Sequence, residues 1–210
     1  MIILSFIVAL VLNQKIPGKN VIRVIGVIPY VLIPAVVGII WNWMYDANFG
    51  ILNYVFSLLG IPKQGFLIDK NIALYSVSVV IIWSYLGYNM ILYLAGLQGI
   101  SPELYEAAEI DGANKFQIIT KITIPLLSRT TSLIITLTLI NIVQVYDQVV
   151  VMTGGGPSRS TMTLIHYQYI AGFERQQLGY GSAIGVVILI ILILLVQLQR
   201  LIFRSNKEVY

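Results

Sequence analysis

Cysteine is missing from this chain, so disulfides and thiolate metal sites are excluded. Histidine is nearly missing too: His166 stands alone, and a histidine-rich metal site is out of reach. Charge is scarce, at 10% of 210 residues, against roughly 25% in soluble domains. What replaces it is apolar: 58% of the residues are hydrophobic and the mean hydropathy is +0.85. The apolar runs are too long for barrel strands, so the sequence predicts an all-α integral membrane protein. The net charge of +4 does not point to nucleic acid, because the basic residues flank apolar runs instead of clustering. No cluster of His, Asp or Glu at one depth suggests catalysis, and no residue is a candidate catalyst or cofactor ligand.

Acids are the rarest charges, nine in all, and Glu103, Glu106, Glu109 and Asp111 fall within one short stretch. That stretch, Ser101 to Leu126, must meet water or a polar partner. Its pattern is a helix, a turn and a second helix. Ser101 is a natural N-cap and Pro102 suits the first helical position. Glu103 meets the positive end of the helix dipole. Gly112 can take the left-handed conformation that stops a helix. Asn114 can cap the second helix, which is expected to end near Ile124, before Pro125. On the first helix Glu103, Glu106 and Ile110 share one face, while Leu104, Ala107, Ala108 and Asp111 share another. The two alanines together would let another backbone come close. From composition alone, the stretch reads as a solvated connector between two spans, because short motifs are unspecific.

The remaining chain divides into apolar runs and loops. Residues 1–12 are apolar but reach only about 18 Å as a helix, against a hydrocarbon core of roughly 30 Å. The positive charge follows this run, unlike a signal peptide, so it reads as the end of a span whose beginning lies upstream. Four complete spans are expected, at 24–45, 71–98, 128–152 and 180–203. Pro29 and Pro34 imply kinks in the first of these, and Trp41, Trp43 and Tyr45 mark a membrane interface. Ile51 to Leu59 predicts a short interfacial helix ended by Gly60 and Pro62, and 161–173 a second one. The whole of 1–210 is read as one transmembrane domain.

Basic residues set the orientation. Lys15, Lys19, Arg23, Lys115, Lys121, Arg129, Arg200, Arg204 and Lys207 fall on one side; Lys63, Lys70, Arg159 and Arg175 fall on the other. The richer side is cytoplasmic. That places 99–127 and the C-terminus in the cytoplasm, and the loops 46–70 and 153–179 outside.

Within the third full span, Gln144, Tyr146 and Asp147 form a polar cluster. An ionisable residue in a span is by default a functional candidate. Amide and carboxylate groups suit sugar hydroxyls, and an aromatic face suits the ring's C–H surface. On a continuous helix Gln144 and Asp147 share a face, with Tyr146 some 100° from Asp147 and a candidate for packing on a neighbouring helix. The other reading has Asp147 holding the helix end at the outer interface. Gly154-Gly155-Gly156 is not a phosphate loop: no Lys-Ser or Lys-Thr follows it. His166 and Arg175-Gln176-Gln177 read as polar loop residues, and Trp41 and Trp43 as interface residues.

Glu106-Ala107-Ala108, Asp111-Gly112-Ala113 and Ile124-Pro125-Leu126-Leu127 together resemble the EAA loop of bacterial ABC importer permeases. Leu97 to Tyr105 and Thr153-Gly154-Gly155-Gly156-Pro157 are similar to the sugar-importer branch. Phe116 stands where many relatives have Trp or Phe. The resemblance covers essentially the whole chain. It implies a subunit without chemistry of its own in the bacterial inner membrane, working with a second permease subunit as a heterodimer, two cytoplasmic ATP-binding subunits, an external solute-binding protein and a sugar-like solute. It also implies more chain upstream, with the present sequence a fragment or an internally started product. Glu106, Ala107, Ala108, Asp111, Gly112 and Pro125 would carry coupling to the ATPase. Gln144, Tyr146 and Asp147 would lie in the region that lines the path. Three alternatives compete with this reading. A permease for amino acids or another solute would use the same scaffold. A secondary transporter calls for intramembrane charge partners and a visible internal repeat. A membrane-embedded enzyme calls for the catalytic cluster that is lacking.

Overall fold

The computed structural model describes residues 1–14 and 16–204. Two basic residues used for the orientation, Lys15 and Lys207, lie outside the described residues. Among the described residues the regular structure is helical throughout.

The fold is built around α5, Ala73–Gln98. It holds no charged residue and buries a stripe of side chains from Ala73 and Val80 to Tyr93 and Leu97, while Leu74, Tyr75, Val79 and Trp83 stay exposed. A helix apolar all round is either enclosed by protein or spans a membrane. Its hydroxyls are satisfied locally: Ser76, Ser78 and Ser84 each donate to the carbonyl four residues back. α1, Ile2–Asn13, lies along it and buries Ser5, Ala9 and Leu12, one stripe at helical spacing. The Ser5 hydroxyl reaches the Leu86 carbonyl at 3.1 Å. Ala9 and Leu12 join Met90, Tyr93, Leu94, Leu97, Leu127 and Ile134 in one apolar core.

The span expected at 24–45 is two helices. α2, Lys19–Val31, begins earlier than hydropathy implied, and α3 is Pro34–Met44. They meet at 100°. The bend belongs to Pro34: the proline ring bars α geometry at Ile33, which takes φ −58°, ψ 126°. Pro29 stays inside α2 without ending it. α3 then packs on α10, Asp147–Thr153. Asn42 Nδ2 donates to the Val151 carbonyl at 2.9 Å. Val37, Tyr45, Val77, Val80, Val145, Val149 and Met152 make a second core at that end.

The span expected at 128–152 is also broken. α9 covers Ser128–Val143 and α10 resumes at Asp147. At about 24 Å, α9 alone falls short of the hydrocarbon core. Two features hold the break. The carbonyl of the buried Val145 accepts the Thr163 hydroxyl at 3.1 Å. Asp147 sits in the first turn of α10, where its charge meets the helix dipole.

Among the described residues, two helices are long and apolar enough to cross a membrane singly, α5 and α12, Leu178–Arg204. The count reaches four if each of two bent pairs is one span, the second pair bending 65° at Leu127. The short helix α4, Ile51–Leu58, ends at Gly60, whose φ is +72°. In the loop before α12, α11 covers Leu164–Tyr169 and continues as a π turn to Glu174; residues 161–163 precede the helix.

Candidate functional site

The first candidate is the polar stretch after α5. α6 runs Pro102–Ile110 with Ser101 at the N-cap position and Glu103 in the first turn. Ser101 makes no side-chain cap bond. The other end is closed more tightly. Gly112 has φ +79°, the Ala113 N–H donates to Ala108 O at 2.9 Å and the Gly112 N–H to Glu109 O at 3.1 Å. This pair of bonds is a Schellman closure, which requires the left-handed residue. Two residues later Asn114 and Gln117 exchange side-chain-to-backbone bonds of 2.8 and 2.9 Å, a capping box that starts the next helix.

That second helix runs past Pro125 instead of stopping at Ile124. α7, Lys115–Ile118, leads into a π turn over Ile119–Thr123 and then α8, Ile124–Leu126. The wider turn shifts hydrogen bonding by one residue, as Ile124 N–H to Ile119 O shows, and so accommodates the proline's missing N–H. The Thr123 hydroxyl donates to Ile118 O at 3.3 Å, and the Tyr105 and Thr123 hydroxyls lie 3.4 Å apart, linking α6 to the π turn.

The two alanines do not make one small-residue face. Ala108 is buried under the turn, while Ala107 is exposed beside Glu106. Glu103, Glu106, Glu109 and Asp111 all reach solvent. So do two large apolar groups flanking the turn, Ile110 at 87% and Phe116 at 74% exposure. A cleft of about 370 Å³ opens beside the turn and the second helix, lined by Asp111, Gly112, Ala113, Gln117, Lys121 and Ile122. The turn, capped on both sides, thus presents acidic and large apolar side chains together to solvent.

The second candidate lies where both broken spans unwind. A cleft of about 290 Å³ is lined by Pro29, Tyr30, Leu32, Pro34, Ser84, Tyr85 and Gln148. Tyr30 stacks on Tyr88 with ring centroids 4.3 Å apart and meets Tyr85 edge-on at 5.6 Å. Asp147 lies within Coulombic reach of the Tyr85 hydroxyl. Leu32, at the first break, lines this cleft, while Ile33 is 67% exposed; at the second break Val145 is buried and Gln144 is exposed.

The break separates the three polar residues that a continuous helix would have grouped. Gln144 and Asp147 are exposed, and the face they were expected to share does not exist. Tyr146 turns to the loop after α10, with its ring 5.8 Å from His166 and 5.3 Å from Tyr169. His166 is accordingly no polar loop residue: it is buried in α11, against Gly155, where a Cβ would stand 3.0 Å from the imidazole. Trp41 packs edge-on to Trp83 at 5.4 Å and belongs to the second core, whereas Trp43, at 77% exposure, fits the interface reading. Sequence reasoning missed Tyr30 and Gln148 and gave Tyr85 and Tyr88 no role. The available signal was Tyr30 between Pro29 and Pro34, an aromatic beside an imposed break.

On the loop after α3, Asp46 Oδ1 accepts the N–H groups of Phe49 and Asn48, each at 2.8 Å. These bonds, Phe49 first, hold its carboxyl below the ordinary value.

The family described as binding-protein-dependent transport system inner membrane component matches residues 1–207. A probable ABC transporter permease protein of Pyrococcus horikoshii, PH1215, is 35% identical over 93% of this chain and 68% of its own length. The trehalose/maltose transport system permease protein MalF of Thermococcus litoralis is 33% identical over 91% of this chain and 64% of its own length. The chain thus spans about two thirds of the length of these relatives. Among solved structures, a bacterial ABC transporter involved in import of the acidic polysaccharide alginate matches with a TM-score of 0.86. That match covers 97% of this chain and 72% of the other at 22% identity, a likeness of fold.

Proposed function

The chain belongs to the family of binding-protein-dependent transport system inner membrane components, and from that premise we propose that it is a permease subunit of an ATP-driven importer for a sugar or related carbohydrate. The capped turn at Gly112, with Glu106, Ile110 and Phe116 presented around it, carries the reading. An element that must transmit force needs a fixed shape and an exposed contact surface, and this one has both. Glu106, Ala107, Asp111 and Gly112 would meet a cytoplasmic ATPase subunit, while Ala108 and Pro125 would shape the element from within.

The partners in this reading are a second permease subunit, two ATPase subunits and an external solute-binding protein. Closure of the ATPases would draw the two coupling loops together and turn the cavity outward as a rigid-body movement. The path would cross four spans, two of them bent, with 1–12 contributing part of another. The coupling loop would face the cytoplasm of a bacterial inner membrane, as the lysine and arginine distribution supports. Carbohydrate is the solute class favoured by the tyrosine-lined cleft, with Gln148 and Asp147 beside it, and by the substrates in the relatives' names. Gln144 and Asp147 would face the path; Tyr146 would hold the adjoining loop.

The test is the assembled transporter carrying Gly112→Pro or Glu106→Lys. Proline cannot adopt φ +79°, and lysine reverses charge on the docking surface. Both chains should still reach the membrane, while uptake and co-purification of the ATPase fall together. Wild-type solute-stimulated ATP hydrolysis in both variants would refute the docking role.

A further inference from the structure

A cleft of about 510 Å³ lies between the start of α9 and the end of α12, within the usual size range of small-molecule sites, roughly 300–1,000 Å³. Its lining brings Arg129 from one helix and Arg200 from the other to a single concavity, with Ser128, Ser132 and Gln197 between them and no carboxylate. We propose that this cleft binds the phosphate-bearing headgroup of an anionic phospholipid.

Two features support a built site over a chance meeting of surface arginines. The first is a polar cross-link beneath the cleft. Gln199 is buried; its Nε2 donates to Ser132 Oγ at 2.7 Å and to Ser132 O at 3.2 Å, while its Oε1 accepts the Thr136 hydroxyl at 3.0 Å. This bidentate brace fixes the spacing of α9 and α12 at the point where the arginines emerge. The second is what continues from the cleft towards the membrane interior. On α9, Leu133 lies one turn from Arg129 and is exposed; on α12, Leu194, Leu198 and Leu201 form an exposed stripe at helical spacing. A free phosphate would use only the arginines. A phospholipid uses the arginines for its headgroup and the leucine faces for its chains.

The position suits the chemistry. Ser128 directly follows the coupling segment, so the cleft opens at the level where headgroups lie. Guanidinium groups bind phosphate through paired N–H donors, and basic pockets between transmembrane helices on the cytoplasmic side take anionic headgroups. The inference rests on the transmembrane placement of α9 and α12, not on the identity of the solute. Transport with a mutated coupling loop and lipid retention with a mutated cleft therefore fail separately.

Native mass spectrometry of the purified transporter tests it, with dioleoylphosphatidylglycerol, dioleoylphosphatidylcholine and inorganic phosphate as the probes. Wild type should retain phosphatidylglycerol in preference to phosphatidylcholine. The Arg129→Gln/Arg200→Gln variant should bind phosphatidylglycerol about 30-fold more weakly, from roughly fivefold per arginine near the headgroup layer. The corresponding Lys/Lys variant, which keeps the charge, should stay within a few-fold of wild type. Equal retention of the two lipids by wild type overturns the proposal without any variant. Unchanged phosphatidylglycerol binding in the Gln/Gln variant also overturns it. Displacement of the lipid by millimolar inorganic phosphate would assign the cleft to free phosphate instead.

Discussion

At the crossing of α2 and α5 two backbones meet with almost nothing between them, which makes a one-carbon test possible. A Cβ added at Gly87 would overlap the Gly26 carbonyl and stand 2.9 Å from the Val27 nitrogen. The obstacle is backbone, so no side chain can rotate away; the helices must separate by on the order of 1 Å. Overpacking of this kind costs about 3 kcal/mol, the upper end of the usual range. Alanine regains up to about 1 kcal/mol of helix propensity over glycine, so the clash wins by roughly 2 kcal/mol. For a chain of this size that corresponds to a melting temperature lower by about 4–8 °C. Gly26→Ala is the matched control on the facing helix. Its Cβ would meet only the Met90 side chain, at 3.5 Å, an ordinary contact, so it should be neutral or slightly stabilising.

The separation has a functional reading as well. Gly87 precedes Tyr88, whose ring stacks on Tyr30 at 4.3 Å. Moving α2 away loosens that stack and reshapes the tyrosine-lined cleft. Gly87→Ala should therefore melt early in detergent and transport poorly, while Gly26→Ala does neither. Wild-type melting of Gly87→Ala, or equal damage from Gly26→Ala, would refute the reasoning.

Three further outcomes are expected. In this cysteine-free chain, single cysteines at Lys63 and Arg159 should react with an impermeant thiol reagent on intact cells while one at Lys115 is protected; labelling of the Lys115 site alone would reverse the topology. Asp46 has its carboxyl pKa lowered from 3.8, so the order it gives the Asn48–Phe49 turn is complete above that value and is lost as pH falls through the lowered one; hydrogen exchange at those two amides should accelerate there, and Asp46→Ala should abolish the pH step. Gln144→Ala and Asp147→Ala should alter solute preference with assembly and binding-protein docking intact; identical solutes at identical rates in both variants would remove these residues from the path.

The coupling element was legible in the sequence because its determinants are local. Pro102, Gly112 and Asn114 each act within a turn of themselves, and the structure finds the left-handed Gly112 and the Asn114 cap where residue type placed them. The orientation of Ala107 and Ala108 was not legible, since it depends on how α6 lies against its own turn. Hydropathy located the apolar segments but not their continuity. A window average is unaffected by two residues leaving helical geometry. Pro34 announced the break before α3. Nothing of that kind announces the break at Gln144–Tyr146, which holds neither proline nor glycine and depends on Thr163, 18 residues away, bonding to Val145. His166 was misread for the same reason: burial under Gly155 and Tyr146 is a property of the folded loop.

The two breaks matter together. α3 and α10, the segments beyond them, are held to one another by the Asn42–Val151 bond and by Gly38, which leaves room for the Val151 side chain: a Cβ there would sit 3.1 Å from it. α2 and α9, the segments before them, are held instead to α5, the one through the Gly26–Gly87 crossing and the other through Asn89 Nδ2 donating to Thr138 Oγ1 at 3.2 Å. α3 and α10 reach α5 as well, in the core that contains Val77 and Val80, and the cleft at Tyr30, Tyr85 and Gln148 lies between the first break, α5 and α10. The helices after Gly112 join α9 through the single bend at Leu127. In the proposed coupling, a displacement delivered at Gly112 would reach the Gln144–Tyr146 break through α9 without crossing a loop longer than that bend. Continuous helices would carry such a displacement through the outer half as well. Residues 32–33 and 144–146 are where a few backbone dihedrals could change, as in a hinge; of them Leu32 lines the cleft, and any such movement must also slide the α3–α10 pair along α5, where the Tyr45 hydroxyl donates to the Ser76 carbonyl at 3.2 Å.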